Sequence, residues 1–251
     1  MKSSRLFTLL PVSLLLAVNL PLCHAAELSR EQVIEIISSA DNQPPKLTNK
    51  DLSGLDLSGV DFKGADLFSA NLDDCNLDNA NLHGANLNRA QLRNAKLRKA
   101  DLSGASLYAV VLENADLSEA NLANSRIIGL LNGVNLSNAR LNNADLGADM
   151  TNQGMAPARV EMNNALLNGA DLSGVNFTHA ILSYAKLQNA NLHKARLQWA
   201  DLSGANMSGS EVSEADFRHA NLDGINLNNV KGLASALGLQ KENQGFNTFL
   251  E

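Results

Sequence analysis

The chain has 251 residues, of which 45% are hydrophobic but only 4% aromatic, and a formal net charge of -6. Such a length fits one domain, and the acidic balance excludes a protein that holds nucleic acid through non-specific phosphate contacts. With two cysteines, Cys23 and Cys75, it is not a disulfide-dense secreted scaffold.

In chain order, Lys2 and Arg5 precede an apolar run from Leu6 to Leu20, the pattern of a signal peptide. Pro21 breaks the helix, and Cys23 and Ala25 place small residues at the two positions that matter for cleavage. Residues 1–25 are therefore expected to be removed after Ala25; Leu22 stands where lipoprotein processing at Cys23 would need a small side chain. The run is shorter than the ~20 residues a membrane span requires, so no stable membrane anchor is expected after cleavage. Loss of Lys2 and Arg5 takes the charge from -6 to -8 and leaves Cys75 as the only cysteine, so no intrachain disulfide can form. A periplasmic or otherwise extracytoplasmic location follows as the expectation.

Residues 26–50 read as a cap and linker. Ser29 and Gln32 have the spacing of a capping box, and Val33, Ile34, Ile36 and Ile37 give the segment from Ser29 to Ala40 an apolar face. This helix is expected to cover the first turn of whatever follows.

Residues 51–230 carry a five-residue period. Every fifth residue from Leu52 to Ile127 is Leu, Ile or Phe, and from Met162 to Leu227 it is Leu, Phe, Met or Val. The residue two places earlier is usually small, as at Ala65, Ala70, Cys75 and Ala80. On an α-helix, steps of five would advance each leucine by roughly 140° and scatter them around the cylinder. On a continuous strand an odd period sends successive leucines to opposite faces. A short extended segment that points the small residue and the leucine inward, followed by a corner, satisfies both. Four such sides close a square coil of 20 residues, and stacked coils pair their backbones at about 4.8 Å. Asp, Asn, Ser, Gly and Lys then face solvent and form the turns.

The units A-D/N-L-x-x, as in ADLSGA from Ala100 to Ala105 and again from Ala200 to Ala205, resemble the pentapeptide repeat family. That resemblance implies an all-β fold, a right-handed quadrilateral β-helix, here with short capping helices at its ends. It says less about function, because a solenoid displays surfaces and the chemistry lies in what is displayed.

The repeat stumbles at about residues 128–161. After Ile127 the frame moves back by one, to Leu131, Leu136, Leu141 and Leu146, and it returns by Met162. The stretch GADMTNQGMAPARV, from Gly147 to Val160, reads either as a tolerated surface loop or as an interaction loop. In the second reading Met150, Thr151, Asn152, Gln153, Met155 and Arg159 are candidate protein-binding residues, with the methionines as adaptable apolar contacts. Copper(I) binding by the methionines is disfavoured because the loop has no histidine.

Residues 20 apart should stack on one face. Arg93 then lies between Asp73 and Glu113, Arg98 follows Asp78, Lys96 precedes Asp116 and Lys99 precedes Glu119, which makes this basic cluster a set of axial ion pairs. The same rule puts His179, Trp199 and His219 in one exterior column. A metal site shared by the two histidines is disfavoured by the indole between them, whereas an exposed Trp can anchor a partner.

At the C-terminal end, residues 231–251, Gly232 to Gln240 is a second short helical candidate, and Phe246 and Phe249 could cover the last leucines. Capping and homodimerisation through this end are alternatives, the second implied by the family. Nucleophile-elbow, P-loop, paired-histidine and C-x-x-C motifs are missing from the sequence, so neither an enzyme nor a cofactor is expected. The leading expectation is a non-enzymatic interaction scaffold with a protein partner and no direct nucleic-acid binding. If the chain stays in the cytoplasm, the family implies an alternative, topoisomerase protection by mimicry of DNA; immunity to a toxin acting outside the cytoplasm is a third.

Overall fold

The computed structural model describes residues 26–41, 43–151 and 158–239. An α-helix, α1 (Arg30–Ser38), leads into a stack of square coils in which the longer extended segments are β1 (Ser106–Val111) and β2 (Arg126–Leu130). The stack is a right-handed quadrilateral β-helix, its coils joined by parallel bridges from Lys46↔Asp66 to Asp216↔Leu237. Four sides are named here by their first inward residue: side 1 from Leu47, side 2 from Leu52, side 3 from Leu57 and side 4 from Phe62.

The five-residue unit does what its chemistry requires. Within one side, Ala100 and Leu102 point inward and are fully buried, while Asp101 and Ser103 look outward. The corner is a β-turn: Leu55 N–H donates to Leu52 O at 3.2 Å, and Gly54 takes φ +70°, as the third residue of a type II turn must. Coils pair through Leu52 N–H to Asn71 O (2.8 Å) and Asn71 N–H to Lys50 O (2.9 Å). Before each central leucine, Asp or Asn ties both directions together. Asp51 Oδ1 accepts from Ser53 N–H along its own turn (3.0 Å) and from Asn71 Nδ2 on the next coil (3.0 Å). Cys75 occupies an inward small-residue position, where its thiol donates to Leu52 O at 2.8 Å and burial pushes its pKa up to about 12.

Helix α1 covers the first coil. Ser29 and Gln32 form the expected capping box, with Gln32 N–H donating to Ser29 Oγ (3.3 Å) and Ser29 N–H to Gln32 Oε1 (2.7 Å). Val33 is buried and Ile36 and Ile37 pack against the core, but Ile34 stays 43% exposed. Arg30 clamps the open edge by donating to the carbonyls of Asp56 (2.5 Å) and Ser58 (3.0 Å). Coil pairing already begins at Lys46, five residues ahead of the expected boundary at residue 51.

The frame change has a local cause. β1 and β2 are parallel, and their register slips between Tyr108 and Val110, so that Val110 faces Gly129. Spacing between stacked residues contracts from 20 (Asp101 to Asn121) to 19 (Asp116 to Asn135). It then expands to 31 (Asp145 to Asn176) and returns to 20 at Glu161↔Ile181. The expected interruption at 128–161 is thus narrower in the structure. Leu131, Leu136, Leu141 and Leu146 remain inside the coil in the shifted frame. Only the segment beyond Asp149 leaves it, closed by an antiparallel bridge in which Asp149 N–H donates to Ala158 O at 2.7 Å. The slip is possible because Gly129 adopts φ +152°, where a Cβ would lie 2.0 Å from Val110 O.

At the C-terminal end the structure departs from the expected helix over Gly232 to Gln240. Residues 232–235 form a turn, and the backbone then returns to the stack: Lys231 N–H donates to Ser210 O (2.8 Å) and Leu237 N–H to Ala215 O (2.9 Å). Gly232 and Gly238, at φ +80° and +83°, are incompatible with a right-handed helix. Gln240, Phe246 and Phe249 lie outside the described residues, as do residues 1–25 of the expected signal peptide.

Two stability predictions follow from this geometry. Leu107, fully buried, replaced by Asp should cost more than about 4 kcal/mol or abolish folding, whereas Ser103→Asp on the outer face should leave the melting temperature nearly unchanged. Gly129→Ala should cost at least ~2 kcal/mol, against ~1 kcal/mol for Gly54→Ala, which shares the positive φ but meets nothing within 4 Å. Thermal melts of the four variants check both rankings.

Candidate protein-binding surface

The basic cluster around Arg93 is largely self-satisfied. Arg93 pairs with Asp73 (3.3 Å) and Glu113 (3.6 Å), Arg98 with Asp78, and Lys99 with Glu119 (3.6 Å), as the 20-residue rule expects. The expected ion pair of Lys96 with Asp116 does not form: the two meet only as a backbone-paired rung, and Asp116 Oδ1 accepts instead from Ser118 N–H and Asn135 Nδ2, while Arg89 lies 6.0 Å from the centroid of the Phe68 ring. These exposed pairs are worth ~0–1 kcal/mol each; their effect is to leave little unpaired charge there for a partner. Among the described residues, no group of three or more His, Cys, Asp or Glu side chains is placed to hold a metal ion.

The His179, Trp199 and His219 column stacks ring on ring. His179 and Trp199 have centroids 6.0 Å apart at 10°, and Trp199 and His219 4.2 Å apart at 15°. The indole thus lies between two imidazoles, His219 the closer, and Trp199 remains 55% exposed and open to a partner. All three residues occupy the positive-φ corner position, at +61°, +61° and +65°. Asp216 holds the residues just before the two later rings. Its carboxylate accepts from Gln198 Nε2 (2.6 Å), Arg218 N–H (3.1 Å) and Arg218 Nη2 (2.6 Å).

The loop leaves the solenoid at this same corner. Ala148 N–H donates to Thr178 O at 2.9 Å, which sets Ala148 one rung below His179. The loop's base is fastened by Asp149: Oδ1 accepts from Thr151 N–H (3.0 Å) and Thr151 Oγ1 (2.6 Å), and Oδ2 from Tyr108 Oη (3.4 Å). Arg126 supports the strand beneath by donating to the carbonyls of Asp145 (3.0 Å) and Gly147 (2.8 Å). Met150, Thr151 and Arg159 are exposed; Asn152, Gln153 and Met155 lie outside the described residues.

Side 2, which runs on from that corner, carries residues that the sequence reading did not single out. At the outward position before the central leucine, Val111, Leu130, Glu161 and Ile181 stack on successive rungs. Leu130 is 38% exposed and Tyr184, at the far corner of the Ile181 segment, 65% exposed. The available signal was an aliphatic residue at a position that elsewhere holds a polar or charged one. It was hidden because Val111, Leu130 and Ile181 are not multiples of 20 apart.

The matched family model is that of pentapeptide repeats, with 8 copies, over residues 46–84, 75–114, 85–124, 159–193 and 195–231. The chain belongs to the pentapeptide repeat family. Among solved structures it is similar to HetL, a pentapeptide repeat protein involved in heterocyst differentiation regulation in the cyanobacterium Nostoc. The identity is 30%, covering 83% of this chain and 96% of that one, with a TM-score of 0.39. It is also similar to full-length QnrB1, a plasmid-mediated fluoroquinolone resistance protein, at 19% identity over 74% of this chain and 90% of that one, TM-score 0.34. A pentapeptide repeat protein of the Arabidopsis thaliana thylakoid lumen matches at 23% identity over 65% and 66%, TM-score 0.15. A search of curated protein sequences gives no match.

Asp216 makes the ring column sensitive to acid. Its hydrogen bonds from Arg218 hold the carboxyl below the usual aspartate range, against the opposing pull of burial. A carboxyl depressed on folding contributes stability above its unfolded pKa, about 3.9, and loses it as pH falls through the lower folded value. The difference in melting temperature between wild type and Asp216→Asn should thus be constant above about pH 5 and shrink below about pH 4, with a parallel change in Trp199 emission. Melts and fluorescence across that range test it.

Proposed function

We propose that this protein is an exported, non-enzymatic scaffold that binds a protein partner at the corner shared by the loop and the ring column. Export rests on the charged start at Lys2 and Arg5 and the apolar run from Leu6 to Leu20. The observation that carries the binding reading is coincidence of place. The 31-residue coil sets the loop exit one rung from His179, so the longest break in the repeat and its aromatic stack adjoin. A regular coil offers the same small turn residues on every rung, and a partner that recognises one place needs such an irregularity. Rigid scaffolds presenting loops are a common arrangement for binding.

The test is partner capture by crosslinking in the native compartment. Replacing Gly147–Val160 with Ser-Gly-Ala shortens the 31-residue coil to the regular 20. This variant should keep the wild-type circular dichroism and melting temperature while losing capture. Trp199→Ala should weaken capture by about tenfold or more if the indole is an anchor. Capture unchanged in both variants would overturn the assignment of the site, and an intact Met1 on the native protein would overturn export.

A further inference from the structure

Side 2 carries an apolar strip for which the fold has no use. The position before each central leucine lies on the outer surface, and the core behind the strip is already filled by Leu112, Leu131 and Leu182, each at most 1% exposed. Leu, Ile or Val takes this outward position at Val111, Leu130, Leu166 and Ile181, and three of these four share one column on side 2. Val111 and Leu130 are neighbouring rungs, while Leu130 and Ile181 flank Glu161 on the rung between them. Rungs lie about 4.8 Å apart, so the backbone sets Glu161 next to an aliphatic residue on either side. Among the described residues the Glu161 side chain makes no ion pair and no hydrogen bond. Glu113, beside Val111, is paired with Arg93, and Asp201, on the rung after Ile181, accepts from Ser183 Oγ and Asn221 Nδ2. Among the described residues the strip thus offers one anion without a partner, set between two apolar contacts and bounded by His179 and Tyr184 at the two corners of the Ile181 segment.

Resting on the scaffold reading, we propose that this strip docks a basic amphipathic segment of the partner protein. Leu130 and Ile181 receive its aliphatic side chains, and Glu161 receives a lysine or arginine between them. The charge selects the partner: a neutral apolar segment would bury Glu161 without a counter-charge, while a purely basic segment would leave Leu130 and Ile181 uncovered.

The probe is a short synthetic peptide of alternating leucine and lysine, titrated into the mature full chain at physiological salt and followed by calorimetry and by emission from Trp199, the single tryptophan. Two control peptides replace every leucine with serine or every lysine with glutamate. Asn is a common occupant of the outward position, so Leu130→Asn and Ile181→Asn should fold as wild type does. Each should weaken binding of the leucine–lysine peptide by about tenfold, Glu161→Gln should weaken it severalfold, and both control peptides should bind poorly to wild type. Unchanged binding in Leu130→Asn and Ile181→Asn, or equally tight binding of the serine–lysine peptide, would overturn the proposal in favour of charge attraction alone. Strip-dependent binding to phosphatidylcholine vesicles without peptide binding would overturn it in favour of a lipid surface. In partner capture, strip variants that bind normally while the loop replacement does not would overturn the strip and leave the scaffold reading standing.

Discussion

The structure depends on a corner every five residues at which the backbone must take a positive φ. Glycine or asparagine, the residue types that reach this region at least cost, fills most corners, as at Gly54, Asn79 and Asn189. The corner is what turns a five-residue unit into one side of a square and fixes which residues face in. It also explains why charge can be distributed almost at will over the outside: no outward side chain enters the core, so Asp, Asn, Lys and Arg need only satisfy the coil above and below. Where His179, Tyr184, Trp199 and His219 take the corner instead, a large side chain accepts a conformation that costs roughly 1–2 kcal/mol for an ordinary L-residue. Ser69, Arg89, Lys99, Ala109 and Glu119 accept the same corner conformation earlier in the stack, so what sets the later corners apart is the ring each carries into solvent.

Variation in coil length is absorbed by the same logic. The residue removed is a corner: Tyr108 pairs with Ile128 and Val110 with Gly129, so the corner residue Ala109 has no counterpart on the next coil, and the missing Cβ of Gly129 gives the room. Residues can be added only at a corner, where the chain can leave and re-enter without opening a rung, and the bridge from Asp149 to Ala158 closes that gate. Leu146 and Met162 are both fully buried on either side of the excursion, so the added length carries no cost in the core. A solenoid with stability summed over neighbouring coils can host such an insertion because the coils on either side remain paired.

Much of this was legible in the sequence. The capping box follows from the three-residue spacing of Ser29 and Gln32, and the inward leucines, the ion pairs of Arg93, Arg98 and Lys99 and the stacking of His179 on Trp199 and Trp199 on His219 follow from two numbers, a period of five and a coil of 20. What was not legible depends on where those numbers fail. Once one coil has 19 residues and the next 31, arithmetic no longer says which residues share a column, so the place of Ala148 under His179 and of Leu130 beside Val111 had to come from the backbone. The helix expected over Gly232 to Gln240 failed for a different reason. Its short apolar spacing fitted a helix, but the edge of the last coil offered unpaired backbone groups, and pairing with Ser210 and Ala215 satisfied them.

Function in such a molecule has to be sought in departures from the repeat, because a residue that obeys the repeat is already explained by it. An outward Asp is explained by the turn it caps and the asparagine it accepts from; Arg93, Arg98 and Arg126, by the carboxylate one coil away. Leu130, Ile181 and Glu161, which has no partner among the described residues, have no such account, and neither does a corner tryptophan stacked between two imidazoles and half in water. Isolated exposed apolar residues are ordinary on any protein surface, and Leu166 on side 3 is one of them. The strip differs because its members are stacked, share a carboxylate and adjoin the loop and the rings. That combination requires several independent substitutions at positions where the fold exerts no demand, which is the pattern a binding surface leaves on a scaffold built to be uniform.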